Sequence, residues 1–256
     1  MKINGRMHFM LLCLALLIAG SAFSQGLYWE STTTGGPFKD KENLSQNFAM
    51  PRMFKVVNPM MVMILRMDQE KIYNVDPAKK TYSEMTFAEM EAYAKRSGDK
   101  MAQYKDKIKN MPPEQRKKME AMTGMMGGGA DVPVEVSATG EKKKVGGFSC
   151  TKYLMKRGDK ELMAMWVTKD VAGFDNLRKD WMEFGKRMAS LTNMAGLGEA
   201  YQKIDGFPME TDMDMMGTTM TTVVTKVEKR STPAGEFSVP AGFTRTESPL
   251  KEKAGQ

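Results

Sequence analysis

Residues 59–86 read PMMVMILRMDQEKIYNVDPAKKTYSEMT, and this stretch decides the fold that the sequence predicts. Apolar runs broken by short polar turns indicate three consecutive strands. Because side chains alternate along a strand, Leu65 and Met67 share one face of the first strand and Ile64 occupies the other. Both faces are apolar, so we expect this strand to be covered on both sides. Asp76-Pro77 indicates a turn, since Asp bonds to its own backbone and Pro fixes φ.

The strand pattern, in which side chains alternate between two faces, recurs on both sides of this stretch. Further strands are predicted at Leu27 to Thr34, Leu44 to Val57, Val132 to Val136, Lys144 to Lys156, Glu161 to Thr168, Phe207 to Met216 and Thr218 to Lys229, with a docked segment at Phe237 to Phe243. Two helical segments interrupt these strands. We therefore predict an α+β fold, in which a strongly curved antiparallel sheet (a half-barrel) carries its helices packed on one face.

Both helical segments have start signals and an apolar face. Thr86 and Glu89 form a capping box, which satisfies free backbone N–H groups at the start of the first helix. Asp175 suits the start of the second helix. Apolar residues recur at helical spacing, at Phe87, Met90, Ala94, Met101, Tyr104 and Ile108 in the first helix and at Leu177, Trp181, Phe184, Met188 and Leu191 in the second. Each helix therefore presents one apolar face to the sheet.

Residues 1–24 are typical of a secretory signal peptide. Lys2 and Arg6 precede an apolar core, and the small residues Ala22 and Ser24 precede a predicted cleavage site. No later run reaches about 18 apolar residues, so we expect no transmembrane segment in the mature chain. We expect that chain to be soluble and to lie in the periplasm or be secreted. It should form one domain over residues 25–243, with a Met/Gly-rich insert around 111–130 and a flexible tail over 244–256.

Residue content excludes several kinds of catalytic and metal site. The sequence has one histidine, His8, and two cysteines, Cys13 and Cys150. Because His8 and Cys13 leave with the leader, the mature chain cannot form an internal disulfide, a Cys/His zinc site or a histidine-dependent nucleophilic centre. We predict that the protein is not an enzyme, with no catalytic residue and no cofactor. Cys150 is interpreted as a buried, inert thiol.

Charged residues suggest no further chemistry. The formal net charge is +7, part of which leaves with the leader, and no basic-aromatic motif accompanies the rest. Nucleic acid is therefore not an expected partner, and a solvated lysine surface explains the surplus better than attraction to an anionic membrane. Turn and edge roles explain Asp68, Glu70 and Asp76 better than acid–base catalysis. A solvated strand face explains the acidic residues from Glu210 to Asp214 better than a hard-cation site.

Methionine is unusually frequent, with 28 residues in the chain. The clusters are Met60, Met61, Met63 and Met67; Met119, Met122, Met125 and Met126; and Met209, Met213, Met215, Met216 and Met220. Most of these, the first cluster above all, are interpreted as core, where Met replaces Leu or Ile at little cost. An adaptable lining for an apolar cavity is a second interpretation. A soft site for Cu(I), or a sink for oxidants, is a third, and the Met119–Met126 cluster is its candidate.

A family resemblance covers most of the predicted mature chain. Seven segments together resemble an exported bacterial family known only as a domain of unknown function, number 4412. These segments are Ile64 to Asp68, Lys71 to Pro77, Lys80 to Tyr82, Gly147 to Tyr153, Met165 to Asp170, Gly206 to Pro208 and Phe237 to Phe243. That family is similar to the periplasmic lipoprotein carriers of the Lol type. The resemblance implies a half-open β-barrel with helices as a lid over an apolar cavity for acyl chains. It brings no established catalytic residues.

These observations favour a non-enzymatic periplasmic protein that binds a hydrophobic, acyl- or lipid-like ligand between sheet and helices. Each buried CH₂ group of such a ligand gains about 0.8 kcal/mol, and helix movement would control access. The residues predicted to line the cavity are Met90, Met101, Tyr104, Leu177, Trp181, Phe184 and Met188. Two alternatives stay open: a methionine-rich Cu(I)-binding or oxidant-buffering envelope protein, and a structural envelope protein that binds a protein partner through its sheet edge.

Overall fold

A computed structural model describes residues 25–38, 41–116, 132–191, 196–215 and 218–248. The strands are β1 (Gln25–Gly35), β2 (Asn43–Met50), β3 (Met53–Val57), β4 (Val62–Arg66), β5 (Lys71–Asp76), β6 (Thr81–Thr86), β7 (Val134–Val145), β8 (Phe148–Arg157), β9 (Lys160–Thr168), β10 (Phe207–Met215), β11 (Thr218–Ser231) and β12 (Thr244–Thr246). The helices are α1 (Phe87–Lys109), α2 (Phe174–Leu191) and α3 (Leu197–Gln202). Short 3-10 turns occupy Gly36–Phe38 and Ala234–Phe237.

All of these strands belong to one twelve-stranded sheet, in the order β12-β6-β5-β4-β3-β2-β1-β11-β10-β9-β8-β7. Within the described ranges this order runs from one edge strand to another and does not close into a barrel. The α+β prediction is therefore confirmed. The prediction that the sheet is antiparallel needs one correction, because β12 pairs with β6 in parallel and makes the sheet mixed.

The stretch from Pro59 to Thr86 forms three consecutive strands, as predicted, although the first is shorter than its apolar run. β4, β5 and β6 pair antiparallel in sequence order, with Val62 opposite Val75 and Asp76 opposite Thr81. The Asp76 carboxylate accepts a hydrogen bond from the Lys79 backbone N–H at 3.0 Å, which is the turn chemistry expected of Asp before Pro.

β4 is covered on both faces, as its apolar pattern predicts. Leu65 and Met67 pack into the core beneath α1 and α2. Ile64 packs on the opposite side with Phe237, whose side chain is 0% exposed, so the predicted C-terminal segment docks there.

The first methionine cluster belongs to the core only in part. Met60 is 73% exposed because the strand begins after it, at Val62, and the exposed Met61 lies outside the strand too.

Helix α1 begins at the predicted capping box and packs beside α2. The Glu89 N–H donates to Thr86 Oγ1 at 3.1 Å, and the Thr86 N–H donates to Glu89 Oε2 at 2.9 Å. Arg187 of α2 reaches across to α1, where its Nη1 lies 2.9 Å from Glu91 Oε1 and its guanidinium covers the ring of Phe87. Both helices therefore pack on one core and on each other.

The end of the chain differs from the prediction. A flexible tail is predicted from Thr244 onward, but Thr244–Thr246 form β12, and Ser248 beyond them is buried. The prediction is wrong here because backbone pairing with β6 orders a segment whose polar side chains remain exposed. The predicted leader and most of the predicted insert, including Met119, Met122, Met125 and Met126, lie outside the described residues. Among the helices of the described ranges, none is long and apolar enough to cross a membrane.

Candidate ligand-binding cavity

A cavity of about 500 Å³ lies between helices α2 and α3 and the inner face of the sheet. Five neighbouring strands, β2, β1, β11, β10 and β9, contribute side chains to its wall. Protein interiors are close-packed, and voids much larger than a water molecule are few. A space of this size, lined mainly by apolar groups, therefore differs from ordinary core packing.

Aromatic rings form one wall of the cavity. The Trp29 ring lies edge-on to Trp181 with centroids 5.8 Å apart, and edge-on to Phe207 at 5.5 Å. Phe174 continues the series, 5.1 Å from Phe207, and Phe184 lines the cavity from α2. Edge-to-face pairs of this kind hold one another in place. The aromatic wall is thus a rigid apolar surface.

Methionines form a second, more adaptable wall. Met163 and Met165 come from β9, Met213 from β10, Met220 from β11 and Met182 from α2. Met213 lies directly opposite Met163 on one neighbouring strand and directly opposite Met220 on the other, so these three side chains form a row across the sheet. Unbranched thioether side chains adjust to irregular shapes at low cost.

The polar groups on the strands of the wall bond mainly to one another. Asn47 Nδ2 donates to the Trp29 carbonyl at 3.3 Å and to Ser31 Oγ at 3.4 Å. The hydroxyl of Thr222 pairs with that of Thr33 at 2.9 Å. These bonds fix the polar side chains to the sheet, as buried polar groups require.

Two further polar side chains reach the cavity from its helical side. Arg178 of α2 donates from Nη1 to Asp205 at 2.7 Å and from Nη2 to the Ile204 carbonyl at 2.9 Å. The Tyr201 hydroxyl donates to the sulfur of Met163 at 3.1 Å. Burial raises the pKa of Tyr201 to about 12, so its hydroxyl stays protonated at physiological pH.

The structure brings only part of the predicted cavity set to this space. Trp181 and Phe184 line it. Leu177 and Met90 do not: each is 2% exposed and packs in the adjoining core. The prediction also includes Met101, Tyr104 and Met188, whose side chains lie outside the described part of the structure. A helical stripe identifies the inward face of a helix, but not which inward residues adjoin a gap.

Most of the wall comes from strands that the predicted site set omits. A usable signal exists on β10, where the sequence places methionines on one face. Met209 is buried and Met213 lines the cavity. The alternating acidic residues are bonded rather than merely solvated: Glu210 accepts from Lys143 at 2.7 Å and Asp212 from Thr221 at 2.6 Å.

Two other predictions can be placed. Cys150 is buried, 1% exposed, and burial raises the pKa of its thiol, as expected for an unreactive cysteine. The Asp68 carboxylate pairs with Arg66 at 2.7 Å, and this hydrogen bond lowers the pKa of Asp68. Burial in the core explains the Cys150 thiol, and the ion pair with Arg66 explains the Asp68 carboxylate.

Comparisons with known proteins give one family and several distant folds. A family model described as "Domain of unknown function (DUF4412)" matches residues 115–243. No curated protein matches the sequence.

An uncharacterized conserved protein from Thermus thermophilus is 8% identical to this chain in sequence, with a TM-score of 0.47. The alignment covers 93% of this chain and 99% of the Thermus protein. PNGF-II shows 12% identity and a TM-score of 0.40, covering 90% of this chain, which spans 32% of PNGF-II. A LolA superfamily protein from Nitrosomonas europaea is 6% identical to this chain in sequence, with a TM-score of 0.27. The alignment covers 84% of this chain and 90% of the Nitrosomonas protein.

Proposed function

This chain belongs to the DUF4412 family, and we propose that it is a non-enzymatic periplasmic binding protein for a hydrophobic, acyl-type ligand. The observation that carries the proposal is the cavity of about 500 Å³ beneath α2 and α3. Small-molecule sites typically have volumes of roughly 300–1,000 Å³ and mostly apolar walls with a few placed polar groups. This cavity has both properties.

Binding is driven by removal of the ligand's chain from water. Each CH₂ group buried in the cavity contributes about 0.8 kcal/mol. The aromatic wall offers a flat, fixed surface, and the methionine wall moulds to the rest of the chain. Such a site selects for apolar character and size more than for one chemical structure.

We further propose that the sheet curves strongly around the ligand, as a half-barrel. Asn47 on β2 and Met163 on β9 line the same cavity, although three strands separate β2 from β9. Neighbouring strands lie about 4.8 Å apart, so five strands would span about 19 Å in a flat sheet. Side chains from both ends of this run of strands nevertheless line one cavity, which supports a curved wall.

Helix α2 is the proposed lid. Its polar links to the turn between β2 and β3 are exposed: the Arg52 N–H donates to Asp180 at 2.6 Å, and the Arg52 guanidinium lies 3.6 Å from Glu183. Exposed ion pairs contribute about 0–1 kcal/mol each. Movement of α2 away from the sheet would therefore break only weak polar contacts on the Arg52 side, and the part-buried bonds of Arg178 to Asp205 and Ile204 would act as its hinge.

A cavity-filling substitution tests the binding site. A Cβ atom at Gly185, on the wall formed by α2, would meet nothing within 4 Å, so Gly185→Leu fills space without a backbone clash. We expect this variant to fold and to lose binding of a fluorescent fatty-acid probe. Gly98→Leu is the matched control, because Gly98 lies on exposed α1 surface with equal room. Undiminished probe binding by Gly185→Leu would contradict the proposal.

The ligand and the compartment can be tested together. Native mass spectrometry of protein purified from the periplasmic fraction should detect a bound acyl compound. Protein recovered only from the cytoplasm, or with an empty cavity after gentle isolation, would contradict the periplasmic carrier role.

A second candidate function, Cu(I) binding, is favoured by the row of Met163, Met213 and Met220. Thioethers are soft ligands that select Cu(I). Titration with Cu(I) against a competing chelator should then show stoichiometric binding that the triple Met→Leu variant lacks. Binding retained by that variant would move the site elsewhere, with the Met119–Met126 cluster the predicted alternative.

A further inference from the structure

Arg178 is the only charged side chain on the cavity wall among the described residues. No carboxylate lines the wall in the same ranges, and the remaining lining groups are apolar or neutral. A cation that adjoins an apolar cavity is costly unless it has a partner. The partners of Arg178 therefore indicate what the site can bind.

The positive charge beside the cavity is only partly neutralised. Arg178 shares the carboxylate of Asp205 with Lys169, so two cations bond to one anion. The hydrogen bond from Lys169 is the main cause that lowers the pKa of Asp205, which keeps this carboxylate ionised. The local sum of these three groups is one positive charge.

The guanidinium of Arg178 retains bonding capacity. The two bonds described above use one N–H of Nη1, to Asp205, and one of Nη2, to the Ile204 carbonyl. A guanidinium has five N–H donors in a planar fork, which suits carboxylate and phosphate oxygens. Its position is also fixed, because Asp205 and Ile204 hold it against the segment that follows α3.

Tyr201 supplies a neutral donor to the wall of the same cavity. Tyr201 is one turn before Ile204, whose N–H donates to the Tyr201 carbonyl at 3.1 Å. The Tyr201 hydroxyl is bonded to the thioether of Met163, and a thioether is a weak acceptor. An anionic oxygen of a ligand would be a much better acceptor for that hydroxyl.

From these contacts, and on the basis of the function proposed above, we infer that the ligand is a single-chain amphiphile with an anionic headgroup. A carboxylate or a phosphate ester binds Arg178 and accepts from Tyr201, and its chain lies along the aromatic and methionine walls. Arg178 and Tyr201 are thus specificity residues for the headgroup. The apolar walls bind the chain whatever headgroup it carries.

Three probes with the same chain test this inference by calorimetry: dodecanoate, dodecyl phosphate and dodecanol. We expect the two anions to bind about tenfold more tightly than dodecanol, as one charge-assisted hydrogen bond would give. Arg178→Gln should remove this preference, so that the three probes bind this variant with similar affinity. Lys179→Gln removes the same charge from the next, exposed position of α2 and should keep the preference.

The outcomes separate the inference from the function it rests on. Equal binding of all three probes by the unmodified protein would overturn the anionic headgroup and leave the apolar carrier intact. If Arg178→Gln weakened the binding of all three probes equally, the anionic headgroup would likewise be overturned, because Arg178 would then affect the shape of the cavity and not the recognition of charge. Binding of none of the probes would overturn both proposals. The tighter of the two anions identifies carboxylate or phosphate as the preferred headgroup.

Discussion

Tyr201 on α3 and Met163 on β9 are joined by a hydrogen bond of 3.1 Å from the phenol to the sulfur. The bond links the short helix to the sheet at the edge of the cavity. Met163 is also one of the two end members of the row formed by Met163, Met213 and Met220. One contact therefore connects the helical side of the cavity, its methionine wall and the donor proposed to meet the ligand.

Removing the Tyr201 hydroxyl should affect ligand binding more than folding. In Tyr201→Phe the ring still packs with Met163, Ala200 and Ile204, and the lost bond to sulfur is weak. We expect the free energy of unfolding in urea to fall by less than about 1 kcal/mol. Dodecanoate affinity should fall while dodecanol affinity is kept. A large loss of stability would mean that the phenol serves the fold instead.

The capping box at the start of α1 should have a measurable effect on stability. Thr86→Ala removes the acceptor of the Glu89 N–H and should cost about 1 kcal/mol of unfolding free energy. Thr86→Ser keeps the hydroxyl and should stay close to the unmodified protein. Urea unfolding monitored by circular dichroism measures both. An unchanged midpoint in Thr86→Ala would show that packing of Phe87 and Met90 alone fixes the helix start.

Local patterns predict much of the fold. Alternation and the Asp76 turn indicate the β4–β6 strands, and the capping box places the start of α1. The strand β12 escapes prediction because Thr244–Thr246 are polar and exposed, and only backbone pairing with β6 orders them. Such pairing depends on which edge is free once the rest of the chain has folded.

The residues that line the cavity are harder to predict from the sequence than the strands and helices, for a physical reason. Hydrophobic spacing gives the inward side of α2, and Trp181 and Phe184 indeed face the space, but Leu177 on the same stripe is fully packed. Whether an inward residue meets a neighbour or a void depends on the distance between helix and sheet. That distance is a property of the tertiary fold, and no period in the sequence encodes it.

Acidification should weaken the charge cluster beside the cavity. Lys169, then Arg178, hold the pKa of Asp205 below its ordinary value. A carboxyl whose pKa is lowered by folding stabilises the protein above the unfolded-state pKa of about 3.9, and this contribution is lost as the pH falls through the folded-state pKa.

Asp205→Asn and Lys169→Gln should therefore both flatten the acid limb of a plot of urea midpoint against pH. The change should be small, because the side chains of Lys169 and Asp205 are both exposed. An acid limb that neither variant alters would show that the cluster contributes nothing to folding.

Two glycines should respond to alanine in opposite directions. At Gly26 on β1, a Cβ would lie 2.2 Å from the Ala49 carbonyl oxygen and 2.7 Å from the Met50 sulfur. The first of these atoms is backbone and cannot move without disturbing the pairing of β1 with β2. Gly26→Ala should therefore lower the free energy of unfolding by about 1–3 kcal/mol.

At Gly98 inside α1, a Cβ would meet nothing within 4 Å. Alanine there reduces the entropy of the unfolded chain and favours helix, so Gly98→Ala should raise the free energy of unfolding by about 0.5–1 kcal/mol. Urea unfolding of the two variants side by side measures the difference. If Gly26→Ala proved as stable as Gly98→Ala, β1 and β2 could not approach as closely as described, and the cavity wall that begins at Trp29 and Asn47 would be misplaced with them.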